Sequence, residues 1–246
     1  MSRLALVSLL IIAVSGLYAQ EDGEIATVTQ VGLATQDVFR GVKQSGAGAE
    51  GTFQVARGTW RVGVDFNQPF DRNEPEEGDL HAAYAWKVST GLNIEAIVTQ
   101  RWFSGVEPGV TTHSFEAGLT AGWTLSNGFS VEIAGFHDLR LRADTLHATV
   151  NYSMPLKSLG AYLEWNASIG TVSARDLLPD TVGAPVRASY CYYAASVRLP
   201  YRIGAHTTLV TGLHVAESDG QSRAWSPIAA SGGLRAWADV GLNFDF

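Results

Sequence analysis

The sequence predicts an all-β fold, a transmembrane antiparallel β-barrel of about twelve strands preceded by a signal peptide. Three observations predict it. Segments alternate with period two between an apolar and a polar face, the joins between segments alternate in length, and beyond the N-terminus no apolar run approaches a spanning helix.

The first residues set the compartment. Arg3 precedes an apolar run from Leu4 to Val14, small residues follow up to Ala19, and the chain then turns acidic and polar. This is the three-part layout of a secretory signal peptide, expected to be cleaved after Ala19, so that residues 1–19 are the leader and 20–246 the barrel. Removing the leader takes away one basic residue, leaving 16 against 24 acidic side chains, a net charge of −8. No basic patch faces a phosphate backbone, which argues against nucleic acid as a partner. The single cysteine, Cys191, allows no intrachain disulfide, so an exported chain must be held by other means.

Adjacent side chains in a strand point to opposite faces, and the last segment shows the division most cleanly. Leu234, Ala236, Ala238, Val240, Leu242, Phe244 and Phe246 form one face, and Arg235, Trp237, Asp239, Gly241, Asn243 and Asp245 the other. The same split recurs with Trp60, Val62, Val64 and Phe66 against Arg61, Gly63, Asp65 and Asn67. It recurs again around Phe115–Leu125, Phe129–Ile133 and Ala161–Ile169. It weakens at Ile97 and at Val210. The expected strands are 25–36, 48–57, 59–67, 79–88, 91–103, 110–125, 128–138, 140–154, 160–172, 186–201, 205–217 and 230–246.

Tight turns are expected at Arg57–Gly58, Ser89–Gly91, Ser126–Gly128, Lys157–Gly160 and Arg202–Gly204. Longer polar joins are expected at Gly41–Gly46, Gln68–Gly78, Ser104–Gly109, Arg175–Pro185 and Ser218–Ser226, with the join near Asp138–Arg140 short. An even strand number with short turns on the terminal side and longer loops opposite is the organisation of an outer-membrane barrel. Trp60, Trp86, Trp123, Phe129 and Phe246 gather near the short turns, and Trp102 and Phe103 at the opposite end, as two interfacial belts would.

Phe246, preceded by alternating apolar residues, resembles the C-terminal strand signature that assembly machinery reads in bacterial outer-membrane proteins. Near the N-terminus, Phe39, Arg40, Gly41, Gln44 and Ser45 match the opening motif of the TorF-type family of outer-membrane porins, which the stretch Leu33–Ser45 resembles. Gly58-Thr59-Trp60 and the Glu116 segment look similar to later parts of that family, whereas Asp65-Phe66-Asn67 replaces its usual Trp-x-Ser-Asn step. The resemblance implies an outer-membrane porin.

Candidate lumen or rim residues follow from parity: Arg61, Asp65, Glu95, Glu116, Glu132, Glu164, Arg235 and Asp239, with Arg40 where the first strand meets its outer join. Arg40 either stands at a lumen mouth or pairs with a buried carboxylate that holds the loop. An acidic lumen favours small cations. The expected function is therefore passive diffusion of ions or small polar solutes across the outer membrane, with weak cation preference. The expected partners are outer-membrane lipids, the assembly machinery and the solutes themselves, for a monomer without a cofactor.

A closed barrel presenting its loops to a partner is the first alternative. A lipid-modifying enzyme is the second, carried by His137-Asp138 with a serine such as Ser104 approaching from another strand. The sequence has no His-Glu-x-x-His and no Gly-x-Ser-x-Gly. The acidic run Asp71–Asp79 fits no calcium-loop spacing and reads as a solvated outer loop. Cys191 shares parity with Tyr193 and Val197 and is expected on the lipid face.

Overall fold

In the computed structural model the described residues are 25–105, 112–125, 127–174, 188–219 and 233–246. The expected leader, 1–19, lies outside them. The described strands are β1 (Ile25–Ala34), β2 (Asp37–Phe39), β3 (Val42–Ser45), β4 (Gly48–Arg57), β5 (Trp60–Pro69), β6 (Glu76–Ser89), β7 (Leu92–Ser104), β8 (His113–Thr124), β9 (Phe129–Asp138), β10 (Ala143–Leu156), β11 (Ala161–Ala174), β12 (Ala188–Arg202), β13 (Thr207–Ser218) and β14 (Arg235–Asp245).

Twelve of these form one closed antiparallel barrel, each strand pairing with its neighbours in sequence once the short β2 and β3 are set aside. Closure is made by β1, which pairs with β4 on one side and with β14 on the other, Gly32 standing opposite both Glu50 and Gly241. No described helix is long and apolar enough to cross a membrane; the closed barrel is a strand-built wall. In hydrocarbon every backbone N–H and C=O needs a protein partner, and a closed sheet provides one for each without leaving an edge.

The period-two pattern dictates what each face presents. Val62, Leu119, Ile133, Leu213 and Val240 point outward and are exposed, while Gly63, Glu116, Ala134, Ala216 and Gly241 point inward. Ile97 and Val210, which broke the alternation, are apolar residues on the inner face, Ile97 opposite Ala83 and Val210 opposite Gly241. Outside, Tyr84 packs edge-on against Trp60 with ring centroids 4.8 Å apart, Phe129 stacks on Tyr152 at 4.3 Å, and Phe246 on His206 at 5.5 Å. These lie at the end where β1 begins and β14 ends and where the tight turns sit, with Gly58, Gly91, Gly128 and Gly160 in left-handed backbone conformations. Trp102 lies at the other end.

Two expectations are corrected. β6 begins at Glu76, so the acidic run Asp71–Asp79 is only partly a loop: Glu77 and Asp79 belong to a strand and face inward, each held near Arg101. The second correction concerns the first outer join, expected as a longer polar connection at Gly41–Gly46. Residues 37–45 form the hairpin β2–β3.

Leu119 sits mid-strand on the outer face with 58% of its surface exposed. Leu119→Arg places a charge in hydrocarbon and is expected to cost about 2–4 kcal/mol in urea unfolding from lipid vesicles. The inward neighbour Thr120→Arg should cost far less, and equal costs would reverse the assignment of faces.

Candidate functional site

The hairpin is built from a short sequence cue. Arg40 and Gly41 both have positive φ, 50° and 76°, which is the two-residue turn that matches the natural twist of a β-ribbon. Glycine takes this conformation freely, and Arg40 is held in it by what its side chain touches.

Those contacts lie across the lumen. The Arg40 guanidinium donates two hydrogen bonds to Glu116 on β8, at 2.7 and 2.9 Å, with both side chains more than nine-tenths buried. Arg101 on β7 lies 3.7 Å from the same carboxylate and donates to Asp79 at 3.0 Å. The Phe39 ring lies against both guanidiniums, 4.6 Å from Arg40 and 4.3 Å from Arg101, and the Phe136 ring lies 5.1 Å from Arg40. A buried guanidinium is costly unless a carboxylate and further contacts compensate it, and here each arginine has both.

Beyond the turn, Val42 is buried with Leu141, Ala143, Val172, Ala174, Tyr190 and Tyr192, from the β9–β10 join and the inner wall of β10, β11 and β12. Gly41 lies so close to that wall that a Cβ would stand 2.6 Å from the Tyr192 Cβ. Tyr192 is itself fixed by a 2.7 Å hydrogen bond between its hydroxyl and His147 Nδ1. At the hairpin's base, Asn67 on β5 donates to Asp37 at 2.6 Å and to Ser45 at 3.0 Å, and Glu74 accepts from the Gly46 amide at 2.7 Å. The join after β1 is thus folded into the barrel and pinned to walls on several sides.

The other candidate residues divide by level. Towards the terminal end, Arg61 donates to Glu95 at 2.5 Å, and Glu132 lies on the same inner face, opposite Gly122 and Thr149. Glu164 is opposite Arg198 and exposed. Midway, Asp65 bonds His81 Nδ1 at 2.9 Å. Asp239 bonds His214 Nε2 at 2.5 Å, and Arg235 stands near the outer end of β14, opposite Ala216. Of the candidates, Arg40 and Glu116 are brought together, as are Arg61 and Glu95; Glu164, Arg235 and Asp239 stand apart from both pairs.

Sequence reasoning missed Arg101, Asp37, Phe39, Glu77, Asp79 and His81. The parity of Arg101 was readable from Glu95, but the apolar Ile97 between them obscured the face. Phe39 and Val42 were the available signal for the hairpin, two apolar side chains flanking an Arg-Gly turn where a solvated loop needs none.

The pairing His137-Asp138 is also corrected. His137 points outward and bonds Asp144 at 2.7 Å, while Asp138 points inward and accepts the amides of Arg140 and Leu141. Ser104 donates to Glu76. No group of three or more His, Cys, Asp or Glu side chains placed to hold a metal occurs among the described residues. Cys191 has outward parity, opposite Thr171.

No protein-family model matches the chain, and no curated protein does. Solved structures do. An outer-membrane channel from Pseudomonas putida F1 superposes with a TM-score of 0.55 over 95% of this chain and 100% of its own, at 12% identity. The KdgM porin in complex with disordered oligogalacturonate gives 0.53 over 89% and 99% at 11% identity, and the NanC porin 0.53 over 88% and 99% at 9%. The fold is that of outer-membrane channels. What is shared is this wider barrel architecture and not the TorF-type family in particular.

Arg40→Ala leaves Glu116 buried with one of its two arginine partners gone, and loss of such a pair typically costs about 3–5 kcal/mol. The expected result is a hairpin released from the wall, read as thiol labelling of a cysteine placed at Val42, fast in Arg40→Ala and slow otherwise. Equal labelling would mean that the apolar contacts alone hold the hairpin.

Asp37 lies on the inserted loop, not on a spanning strand. Burial pushes its carboxyl up to about 6, with the Asn67 hydrogen bond and Arg101 pulling the other way and Asp79 adding to the rise. The inserted state therefore holds a proton that a displaced hairpin, with an ordinary carboxyl, gives up between about pH 4 and 6. Lowering the pH from 7.5 to 5 should strengthen insertion. Amide exchange of residues 37–45, corrected for intrinsic rates, should slow at pH 5, and Asp37→Asn should abolish the difference. Faster exchange at pH 5 would reverse the sign.

Proposed function

We propose that this chain is a monomeric outer-membrane channel for passive diffusion of ions and small polar solutes, narrowed in its outer half by the hairpin Asp37–Ser45. The observation that carries the reading is the state of the inner wall below the hairpin. Arg61 and Glu95 keep 29% and 27% of their side-chain surface accessible and Asp65 keeps 41%, as charges lining a wet passage do. A filled interior would bury such groups in pairs, as it does around Arg40.

Selectivity then comes from bore width and inward charge. The arginines nearest the hairpin are engaged by Glu116, Asp79 and Glu77, so they present little free positive charge. Asp65 is held by a histidine, and Glu132 and Glu164 add acid to the terminal-side mouth. This supports weak cation preference. The aromatic outer belt supports seating in lipid, and Phe246 at the close of the last strand supports recognition by the assembly machinery.

The hairpin itself favours a second reading, a closed barrel whose lumen it plugs. Planar-bilayer recording of the refolded chain in a salt gradient separates the two. Discrete steps with a cation-signed reversal potential are expected, larger in Arg40→Ala. Anion preference would overturn the acidic-lumen reading. Silence from both folded proteins would favour the closed barrel.

A further inference from the structure

The outer face of the wall is not evenly covered. On β11 and β12 the register sets Ala167 opposite Ala195, and the same outward row ends on β14 at Ala236. Large side chains stand on the rows to either side. Trp165 and Leu213, 46% and 68% exposed, lie on the row nearer the tight turns, and Ile169 and Tyr193 on the row beyond. A row of small residues between two rows of large ones leaves a trough. It has a volume of about 840 Å³, and its outward side chains are aliphatic and aromatic.

The trough runs across five strands, β10 to β14. At about 4.8 Å per strand that is about 19 Å, against the about 15 Å of hydrocarbon in one leaflet, half of a core of about 30 Å. Its two ends lie at different depths. At β10 it includes Tyr152, which stacks on Phe129 in the girdle beside the tight turns. At β14 it reaches Ala236, the second residue of a strand that begins at the opposite end.

Charge is polarised along the same patch. Lys157 is exposed in the β10–β11 turn, and Arg202 is exposed where β12 ends, its Nε donating to the Gly204 carbonyl at 3.0 Å. Neither turn carries an acidic residue. On the far side Glu217 is exposed on the outer face, opposite Tyr193.

These features select the occupant. Two upright barrels meet convex against convex along the membrane normal, whereas this trough follows a line across strands that themselves tilt by about 35–45°. A second barrel would rest on Leu213 and Tyr193 and leave the floor uncovered, but a flexible hydrocarbon chain reaches it. We propose that the trough on β10–β14 is a binding site for an anionic phospholipid of the leaflet on the tight-turn side. One acyl chain lies along Ala167, Ala195 and Ala236 between the two rows of large side chains. The headgroup phosphate lies beside Lys157, whose methylenes let its ammonium reach along the apolar surface to the interface. Glu217 repels an anionic headgroup from the opposite end, which fixes the direction in which the lipid lies. The inference rests on the seating of the barrel in lipid and not on whether the lumen conducts.

The test is native mass spectrometry of the refolded full barrel, incubated with phosphatidylglycerol or with phosphatidylethanolamine of identical chains. Folding is checked by the mobility of the unheated protein in gels. The barrel should retain phosphatidylglycerol several-fold better than phosphatidylethanolamine. Ala195→Trp, which fills the trough, should reduce that retention several-fold, and Ala167→Phe serves the same purpose if Ala195→Trp does not fold. Val62→Trp, which adds equal bulk to the outer face of β5, should leave it unchanged. Lys157→Gln should bring phosphatidylglycerol down to the level of phosphatidylethanolamine. Equal retention of the two lipids, a preference untouched by Lys157→Gln, or equal losses in Ala195→Trp and Val62→Trp would overturn the site. So would a dimer that Ala195→Trp dissociates while lipid retention stays the same, since the trough would then belong to a second copy of the chain. Selective retention by a barrel that passes no current would overturn the channel reading alone.

Discussion

A backbone that crosses hydrocarbon cannot leave an amide unpaired, and this chain meets that constraint by pairing β1 with β14. Everything else hangs on that closure. Once the sheet is shut, each strand has one register, each residue one face, and a one-residue slip would turn Leu119 or Leu213 into the lumen and Glu116 or His214 into lipid. The joins inherit the same order, with tight glycine turns beside the termini and room for longer segments at the far end only.

The closed wall is also what makes the inserted hairpin possible. A two-residue turn with both φ values positive is cheap for Gly41 and less so for Arg40. A bidentate carboxylate on β8 and two aromatic rings within about 5 Å offset the cost of burying its guanidinium. Val42 adds apolar contact with the opposite wall. Apart from Phe39 and Val42 in the hairpin itself, these partners are far from Arg40 in sequence: Glu116 is 76 residues away. The hairpin therefore depends on a barrel already closed, and it in turn occupies the half of the lumen opposite the tight turns.

Much of this was legible residue by residue. All twelve barrel strands were read from alternation and turn signals, because a strand with one face in lipid and one in a polar lumen writes its period directly into the sequence. The pattern blurred where the inner face is apolar, at Ile97 and Val210, and Arg101 was lost in that blur. The acidic run was read as a loop because Glu76–Asp79 carries so much charge. Yet a lumen tolerates a charged strand when an arginine such as Arg101 stands across from it. His137 and Asp138 were adjacent in sequence but, being neighbours on a strand, face opposite solvents.

By itself the sequence determined the fold class, the strand order and which side of each strand meets lipid, since these follow from local periodicity and from the length of each join. Only the tertiary structure decided which inward groups meet. Local pattern does not encode distance across a barrel, so the meeting of Arg40 with Glu116 and of Asp37 with Asn67 had to await closure of the wall.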